Sequence, residues 1–171
     1  MKKKIIVALA VVLVLCVVGY FVTAYIVFQK NNEKFGQKLT YNSATSDYTL
    51  TTDDEIYYYV PYVWWKIGGD IGITSMTKYD ENDQLINESY AVSIDISKSS
   101  YIADITIGYK DDEGEIKSVS YQLNEKMELV DADDMSTVQE AMFESLKPRI
   151  LDVYKKIYDM WGIFNPDEVS S

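Results

Sequence analysis

An uncharged apolar stretch, residues 5–28, constrains this chain more than any other feature of its sequence. A helix of about 20 apolar residues crosses a hydrocarbon core of roughly 30 Å, so the stretch is long enough to span a membrane. Lys2, Lys3 and Lys4 precede it directly, and a short basic N-terminus favours the cytoplasmic side. The sequence therefore predicts a single-pass cell-membrane protein with its N-terminus inside and its C-terminal domain outside.

A cleaved signal peptide is the alternative interpretation of this stretch. Val22 and Ala24 have the spacing of a cleavage site, but the apolar run continues to Phe28 and exceeds the roughly 7–15 residues of a signal h-region. Cys16 is the only cysteine, and the large Leu15 before it disfavours lipidation. We therefore favour an uncleaved anchor.

The rest of the chain is strongly acidic. All 27 acidic residues lie after Phe28, and the formal net charge of the chain is −11. Such a surface repels nucleic acid, whose phosphates require Lys and Arg. It attracts a basic partner and accelerates the encounter. Acidity also keeps a surface domain soluble, and composition leaves the two roles open.

Residue types that commonly carry catalysis are scarce. The chain has no histidine and no cysteine beyond Cys16, which excludes the commonest general base and metal ligand, a thiol nucleophile in the domain and an intrachain disulfide. Paired carboxylates, as in glycan hydrolysis, are the remaining acid–base machinery, and no motif marks such a pair. We predict no catalytic residue and no cofactor.

Three regions follow from the change in composition. Residues 1–29 form a cytoplasmic tip and a transmembrane anchor, and the polar residues 30–47 form a stalk. Residues 48–171 form an extracytoplasmic domain, which has the length of one domain.

Alternating apolar and polar residues predict an antiparallel meander in this domain. The first and second strands are expected at 71–79 and 85–97, and the third and fourth at 101–110 and 116–123. A short fifth strand is expected at 127–130. One face of such a sheet is packed and the other is exposed, and the exposed face is where we place function.

Two segments flank the meander. Thr52 and Glu55 have capping-box spacing, which favours a helix. The β-branched and aromatic run 56–60 favours a strand that ends at Pro61, so the choice stays open. Towards the C-terminus, apolar residues recur at three- and four-residue steps up to Trp161, which predicts a long helix that Pro148 kinks or splits. The fold class is therefore α+β: an N-terminal transmembrane helix, then a meander of four to five strands packed against a long C-terminal helix.

Aromatic and acidic residues are the candidate binding groups. Tyr and Trp dominate binding hot spots, but a small domain also needs them in its core, and we expect the tyrosines of 57–65 to be more exposed than the tryptophans. Acidic loops at 80–83, 111–115 and 131–134 form a negative rim suited to a cationic partner. The candidate partner-binding residues are Tyr57, Tyr58, Tyr62, Asp80, Asp83, Asp95, Asp104, Asp111 and Asp112.

A calcium site is not predicted. Asp80, Asn82 and Gln84 have the oxygen spacing of an EF-hand loop, but Leu85 replaces its glycine and Ala91 replaces its final glutamate. Turns collect Asp and Asn for their own backbone geometry. We therefore predict no metal ligand.

The layout of the chain resembles the TipC family, membrane-anchored immunity proteins that Gram-positive bacteria use against secreted toxins. The features that carry the resemblance are the lone anchor, the closing helix and the segments YYYVPYVWWKIGGDIGITS, SYAVSIDISKSSYIADITIGY and IKSVSYQLN. The resemblance implies an outward-facing domain whose concave sheet surface binds and blocks one toxin of the type VII secretion system. It assigns no individual binding residue.

These observations favour a membrane-tethered immunity protein that neutralises a secreted, basic toxin by direct binding. The alternative is a structural or accessory envelope protein of a secretion or sensor complex, although Gly19 and Ala24 alone give thin support for helix packing in the membrane. A carboxylate-based glycan hydrolase is less favoured than either.

Overall fold

The computed structural model of the chain describes residues 2–78, 89–111, 113–130 and 137–169. Three helices and seven strands lie within these ranges. In chain order they are α1 (Lys2–Gly36), β1 (Thr40–Asn42), β2 (Asp47–Thr51), β3 (Glu55–Pro61), β4 (Gly69–Ser75), β5 (Tyr90–Asp95), β6 (Ala103–Lys110), β7 (Ile116–Leu123), α2 (Thr137–Trp161) and α3 (Pro166–Val169).

Helix α1 has an exposed part and a packed part. It runs without interruption for 35 residues, a length of about 50 Å at 1.5 Å per residue. Among the described residues it is the one helix long and apolar enough to cross a membrane. Its side chains are exposed from residue 4 to residue 23, and Ala24 is the first that is buried. The apolar part up to Gly19 thus extends away from the folded domain.

The seven strands form one sheet in which each strand pairs antiparallel with the next along the chain. This is the predicted meander, with more strands than the four or five expected. The predicted strand 116–123 coincides with β7, whereas β4, β5 and β6 are shorter than predicted. Residues 79 and 85–88, expected to extend two of them, lie outside the described residues. The expected fifth strand contributes one bridge, between Leu123 and Leu129.

The segment left open between helix and strand is a strand, β3. Thr52 and Glu55, which have capping-box spacing, close the turn between β2 and β3 instead of beginning a helix. The Glu55 amide donates to Thr52 Oγ1 at 3.0 Å, and the Thr52 amide donates to the Glu55 carbonyl at 2.8 Å. These hydrogen bonds between Thr52 and Glu55 close a hairpin and not the first turn of a helix, because the β-branched and aromatic residues that follow favour an extended backbone.

Residues 30–47, assigned to a stalk by the sequence, contain the end of α1, all of β1 and the first residue of β2. Phe35 lies in the core, and Trp161 Nε1 donates to its carbonyl oxygen at 3.0 Å. The Tyr59 hydroxyl donates to Asn32 Oδ1 at 3.0 Å. Helix α1 therefore continues from its apolar part directly into the folded domain.

The core lies between one face of the sheet and α2. Ile71 and Ile105 on the sheet and Ile150 and Ile157 on α2 are completely buried. Burying an aliphatic side chain of this size contributes about 1.5–3 kcal/mol, so this layer supplies most of the stability of the domain.

Of the two outcomes expected at Pro148, a kink or a split of the long C-terminal helix, the split does not occur. Helix α2 is continuous on both sides of it. A proline removes one helical hydrogen bond, but Leu146 and Ile150, on either side of it, are both buried in the core and hold the helix on the sheet. Gly162 ends the helix with φ 69°, and its amide donates to the Tyr158 carbonyl at 2.7 Å.

Candidate functional site

The face of the sheet that points away from α2 is the candidate functional site, and we call it the open face. Within the described residues, no helix covers it, and Thr74, Ala91 and Ser120 on it are exposed. Its central strands present small or hydroxylated residues. They are Gly72, Thr74, Ala91, Ser93, Thr106, Gly108, Ser118 and Ser120.

The open face is large enough to bind a protein. Seven strands at about 4.8 Å spacing span about 29 Å, and the longer strands extend for about 20–26 Å at 3.3 Å per residue. The resulting planar area is roughly 600–700 Å², close to the area of about 800 Å² that one partner contributes to a typical specific interface.

Three aspartates on neighbouring strands form an acidic row on this face: Asp70 of β4, Asp95 of β5 and Asp104 of β6. Asp70 stands directly opposite Asp95 in the sheet register, and Asp104 stands opposite Ser93, two residues from Asp95. Gln122 on β7 donates to Asp104 Oδ1 at 2.6 Å. Like charges directly opposite each other on antiparallel strands destabilise a sheet, so the opposed pair Asp70 and Asp95 lowers the stability of the folded domain.

The two opposed carboxylates differ in their environments. Burial, followed by the charge of Asp95, raises the pKa of Asp70, and a long contact of 3.5 Å from the Tyr62 hydroxyl opposes the rise. Burial alone would raise the pKa of Asp95, but the hydrogen bonds of Ser97, including its amide at 2.8 Å, together with the charges of Lys98 and Lys66, lower the pKa. Asp95 is therefore the more readily ionised member of the pair.

Tyr58 gives the open face a flat aromatic surface. Its ring lies across Gly72, where an added Cβ would be 2.2 Å from the Tyr58 hydroxyl and 2.1 Å from the Val92 carbonyl oxygen. The hydroxyl donates to the same Val92 carbonyl at 3.2 Å. A glycine is thus required at residue 72 for the tyrosine to lie flat.

Tyr57 does not belong to the open face, in contrast to its selection as a candidate contact. Strand alternation directs it to the packed face, where it is 8% exposed. Its hydroxyl donates to Glu55 Oε2 at 2.7 Å, and Glu55 also accepts from Tyr90 at 2.7 Å and pairs with Lys156 of α2. Burial alone would raise the pKa of Glu55, but these three donors together lower it. This network joins α2 to the sheet.

The other candidate residues are divided between two ends of the sheet. Tyr58, Tyr62, Asp95 and Asp104 lie on the open face or at its margin near the β3–β4 loop. Asp111 lies at the opposite end, in the β6–β7 turn, where its Oδ1 accepts from the amides of Glu113 and Glu115 at 3.0 and 2.9 Å.

Asp80, Asp83 and Asp112 lie outside the described residues. Asp70 is absent from the candidate residues because the first strand was expected to begin at residue 71, whereas β4 begins at Gly69. Its alternation with Gly72 and Thr74 is the signal that indicates a strand.

The loop between β3 and β4, residues 62–68, reverses the exposure expected for the aromatic cluster; we call it the aromatic loop. Trp64 and Trp65 are 45% and 47% exposed, whereas Tyr57 and Tyr59 are buried. The reason is local: the tyrosines alternate along β3, and both tryptophans follow Pro61, where the strand ends.

In the part of the chain that the structure describes, no three carboxylates or thiols gather where a metal ion could bind. The Asp80, Asn82 and Gln84 segment falls outside that part.

The chain matches no protein-family model, no curated protein and no solved structure.

Proposed function

We propose that this chain is a membrane-tethered immunity protein, whose open face binds and neutralises a basic secreted toxin outside the cell. The observation that carries the proposal is an uncovered sheet face of interface size, with an opposed pair of carboxylates at its margin, on a domain attached to a candidate membrane helix. The toxin as partner comes from the resemblance to the TipC family.

The acidic row supports a basic partner. The charge of Lys66 already acts favourably on both Asp70 and Asp95. A further cationic side chain from a partner, placed between the two carboxylates, would relieve the remaining repulsion and so favour binding. The net charge of −11 also speeds the approach of a basic protein over a longer range.

The continuity of α1 supports tethering. The helix runs from the apolar part to Phe35 in the core, so a membrane helix would hold the domain at the bilayer surface without a flexible linker. The basic residues Lys2, Lys3 and Lys4 favour an internal N-terminus, which places the open face outside.

A residue exchange with a matched control tests the binding face. Asp104→Lys changes an exposed residue of the open face, and Glu144→Lys makes the same charge change on the exposed surface of α2. With a secreted toxin encoded by a neighbouring gene as the probe, D104K should weaken co-purification with the full chain by about tenfold or more, and E144K by less than about twofold.

The same strains give the functional readout. Deleting the gene should sensitise cells to the external toxin, and D104K should restore less resistance than E144K. The proposal is overturned if the toxin does not co-purify and deletion leaves sensitivity unchanged. Equal losses in D104K and E144K would remove the open face as the contact surface.

A further inference from the structure

The aromatic loop has a fixed shape. The Tyr62 amide donates to the Gly68 carbonyl at 3.2 Å, and the Lys66 amide donates to the Val63 carbonyl at 2.7 Å. Gly68 has φ 123°, and a Cβ added there would be 2.4 Å from Ser97 Cβ. The exposed tryptophans are therefore held in place by the backbone of the loop.

The loop contacts the apolar part of α1. The Trp64 ring centroid lies 5.9 Å from that of Phe21 and 6.4 Å from that of Tyr25. The Tyr20 hydroxyl donates to the Trp65 carbonyl at 3.1 Å. The hydrogen bond satisfies a backbone carbonyl that would be costly to leave unpaired in a medium poor in water.

These contacts set the depth of the loop relative to a bilayer. If the hydrocarbon core begins at Ile5, about 30 Å of helix at 1.5 Å per residue ends near Tyr25. Tyr25 therefore lies at the boundary between hydrocarbon and headgroups on the side of the domain, and Tyr20 and Phe21 lie about 6–8 Å deeper. Trp64, which packs on Phe21 and Tyr25, lies within this range of depth.

The composition of the loop suits that boundary. Val63 and Ile67 are exposed together with both tryptophans, so four large apolar side chains of this short loop are exposed. The Lys66 ammonium lies 4.1 Å from the centroid of the Tyr62 ring, which places a cation beside the aromatic side chains. Tryptophan, tyrosine and lysine are the residues enriched at membrane interfaces.

An open pocket of about 600 Å³ extends from this surface. It lies between α1 and the loop, and aromatic side chains dominate its lining. Tyr25 and Phe28 contribute from the helix, Tyr48 from β2 and Trp64 from the loop. In water this apolar surface would be exposed, whereas at a bilayer interface lipid fills it.

We propose that the aromatic loop is a second membrane contact, which inserts Trp64 and Trp65 into the interfacial lipid layer on the side of the domain. The inference rests on the membrane tethering proposed above and is independent of the toxin. Two attachment points, α1 and the loop, restrict tilting of the domain relative to the membrane plane, so the open face keeps a nearly constant angle to the bilayer.

Quenching of tryptophan fluorescence by brominated lipids tests the contact, and the chain supplies its own control. The protein contains three tryptophans, and Trp161 is buried in the core. In the full chain reconstituted into phosphatidylcholine and phosphatidylglycerol liposomes, Trp161→Phe reports on the loop alone. The double variant Trp64→Phe and Trp65→Phe reports on Trp161 alone.

Lipids brominated near the glycerol should quench more than about half of the W161F emission and less than about a tenth of the emission of the double variant. Bromine near the end of the acyl chain should quench W161F less.

Flotation of the liposomes separates the two proposals. Protein that floats without quenching of W161F overturns the loop contact but leaves the tethering intact. The same result is expected if another protein or a second copy of the chain covers the tryptophans. Protein that does not float overturns the tethering, and the loop contact with it.

Discussion

Ile105 and Thr106 are neighbours on β6, yet they lie on faces of the sheet with different physical tasks. Ile105 is completely buried against α2, whereas Thr106 lies on the open face and its hydroxyl is 2.8 Å from that of Ser120. The packed face carries large apolar side chains and one satisfied ion network. The open face carries small polar side chains and an unfavourable pair of carboxylates. The difference indicates that stability resides on one face, which leaves the other free to be shaped by a partner.

The largest expected effect is on the packed face. Ile105→Ala should lower the free energy of unfolding of the full chain in detergent by about 2–5 kcal/mol, because it removes buried methyl groups and leaves a cavity. Thr106→Ala should cost less than about 1 kcal/mol, since its hydroxyl bond is at the surface. Urea unfolding measures both, and similar losses would show that the open face is also a structural core.

The ion network should give the next largest effect. Glu55→Gln should cost about 1–3 kcal/mol at neutral pH, because Lys156 loses its half-buried carboxylate. The lowered pKa of Glu55 means that its stabilisation is present above the unfolded pKa of about 4.3 and is lost as pH falls through the folded pKa.

The difference between wild type and E55Q should therefore shrink in acid, as measured by urea unfolding at pH 7 and at successively lower pH. Glu144→Gln is the control, because Glu144 and Lys147 form an exposed pair within α2 and should contribute less than about 0.5 kcal/mol. A pH-independent loss in E55Q would contradict the role assigned to the network.

The smallest expected effect has the opposite sign. Asp70→Asn should stabilise the domain at neutral pH by about 0.5 kcal/mol, because it removes one of two opposed like charges. A carboxyl with a raised folded pKa opposes folding when it is ionised, so the gain should shrink as pH falls through the folded pKa of Asp70 and vanish below its unfolded pKa of about 3.9. Asp104→Asn, opposite Ser93, should show no such gain in urea unfolding. Destabilisation by D70N would show that the pair is structural.

Local patterns predicted the parts of the fold in which one periodicity dominates. Alternation along β6 and β7 identified their buried side correctly, including Ile105 and Leu123. β1 was missed because Thr40, Tyr41 and Asn42 are polar or exposed and show no alternation. β2 was missed because it has only five residues, and its two apolar residues, Tyr48 and Leu50, form too short an alternation to indicate a strand.

The site was harder to predict because its geometry depends on contacts between residues that are far apart in the sequence. The opposition of Asp70 and Asp95 follows from strand register, which no local sequence pattern specifies. The contact between Trp64 and Phe21, more than forty residues earlier in the chain, is likewise not indicated by any local pattern. Composition singles out carboxylates and aromatic residues as candidate binding groups, but it does not indicate which of them lie side by side.

Labelling of intact cells with a membrane-impermeant maleimide tests the central claim most directly, namely that the open face is presented outside the membrane. The background is Cys16→Ser, which removes the only native thiol. Ser120→Cys on the open face should react on intact cells, Lys4→Cys only after lysis, and Ile105→Cys only after unfolding. Reaction of S120C only after lysis, or as slowly as that of I105C, would contradict the account.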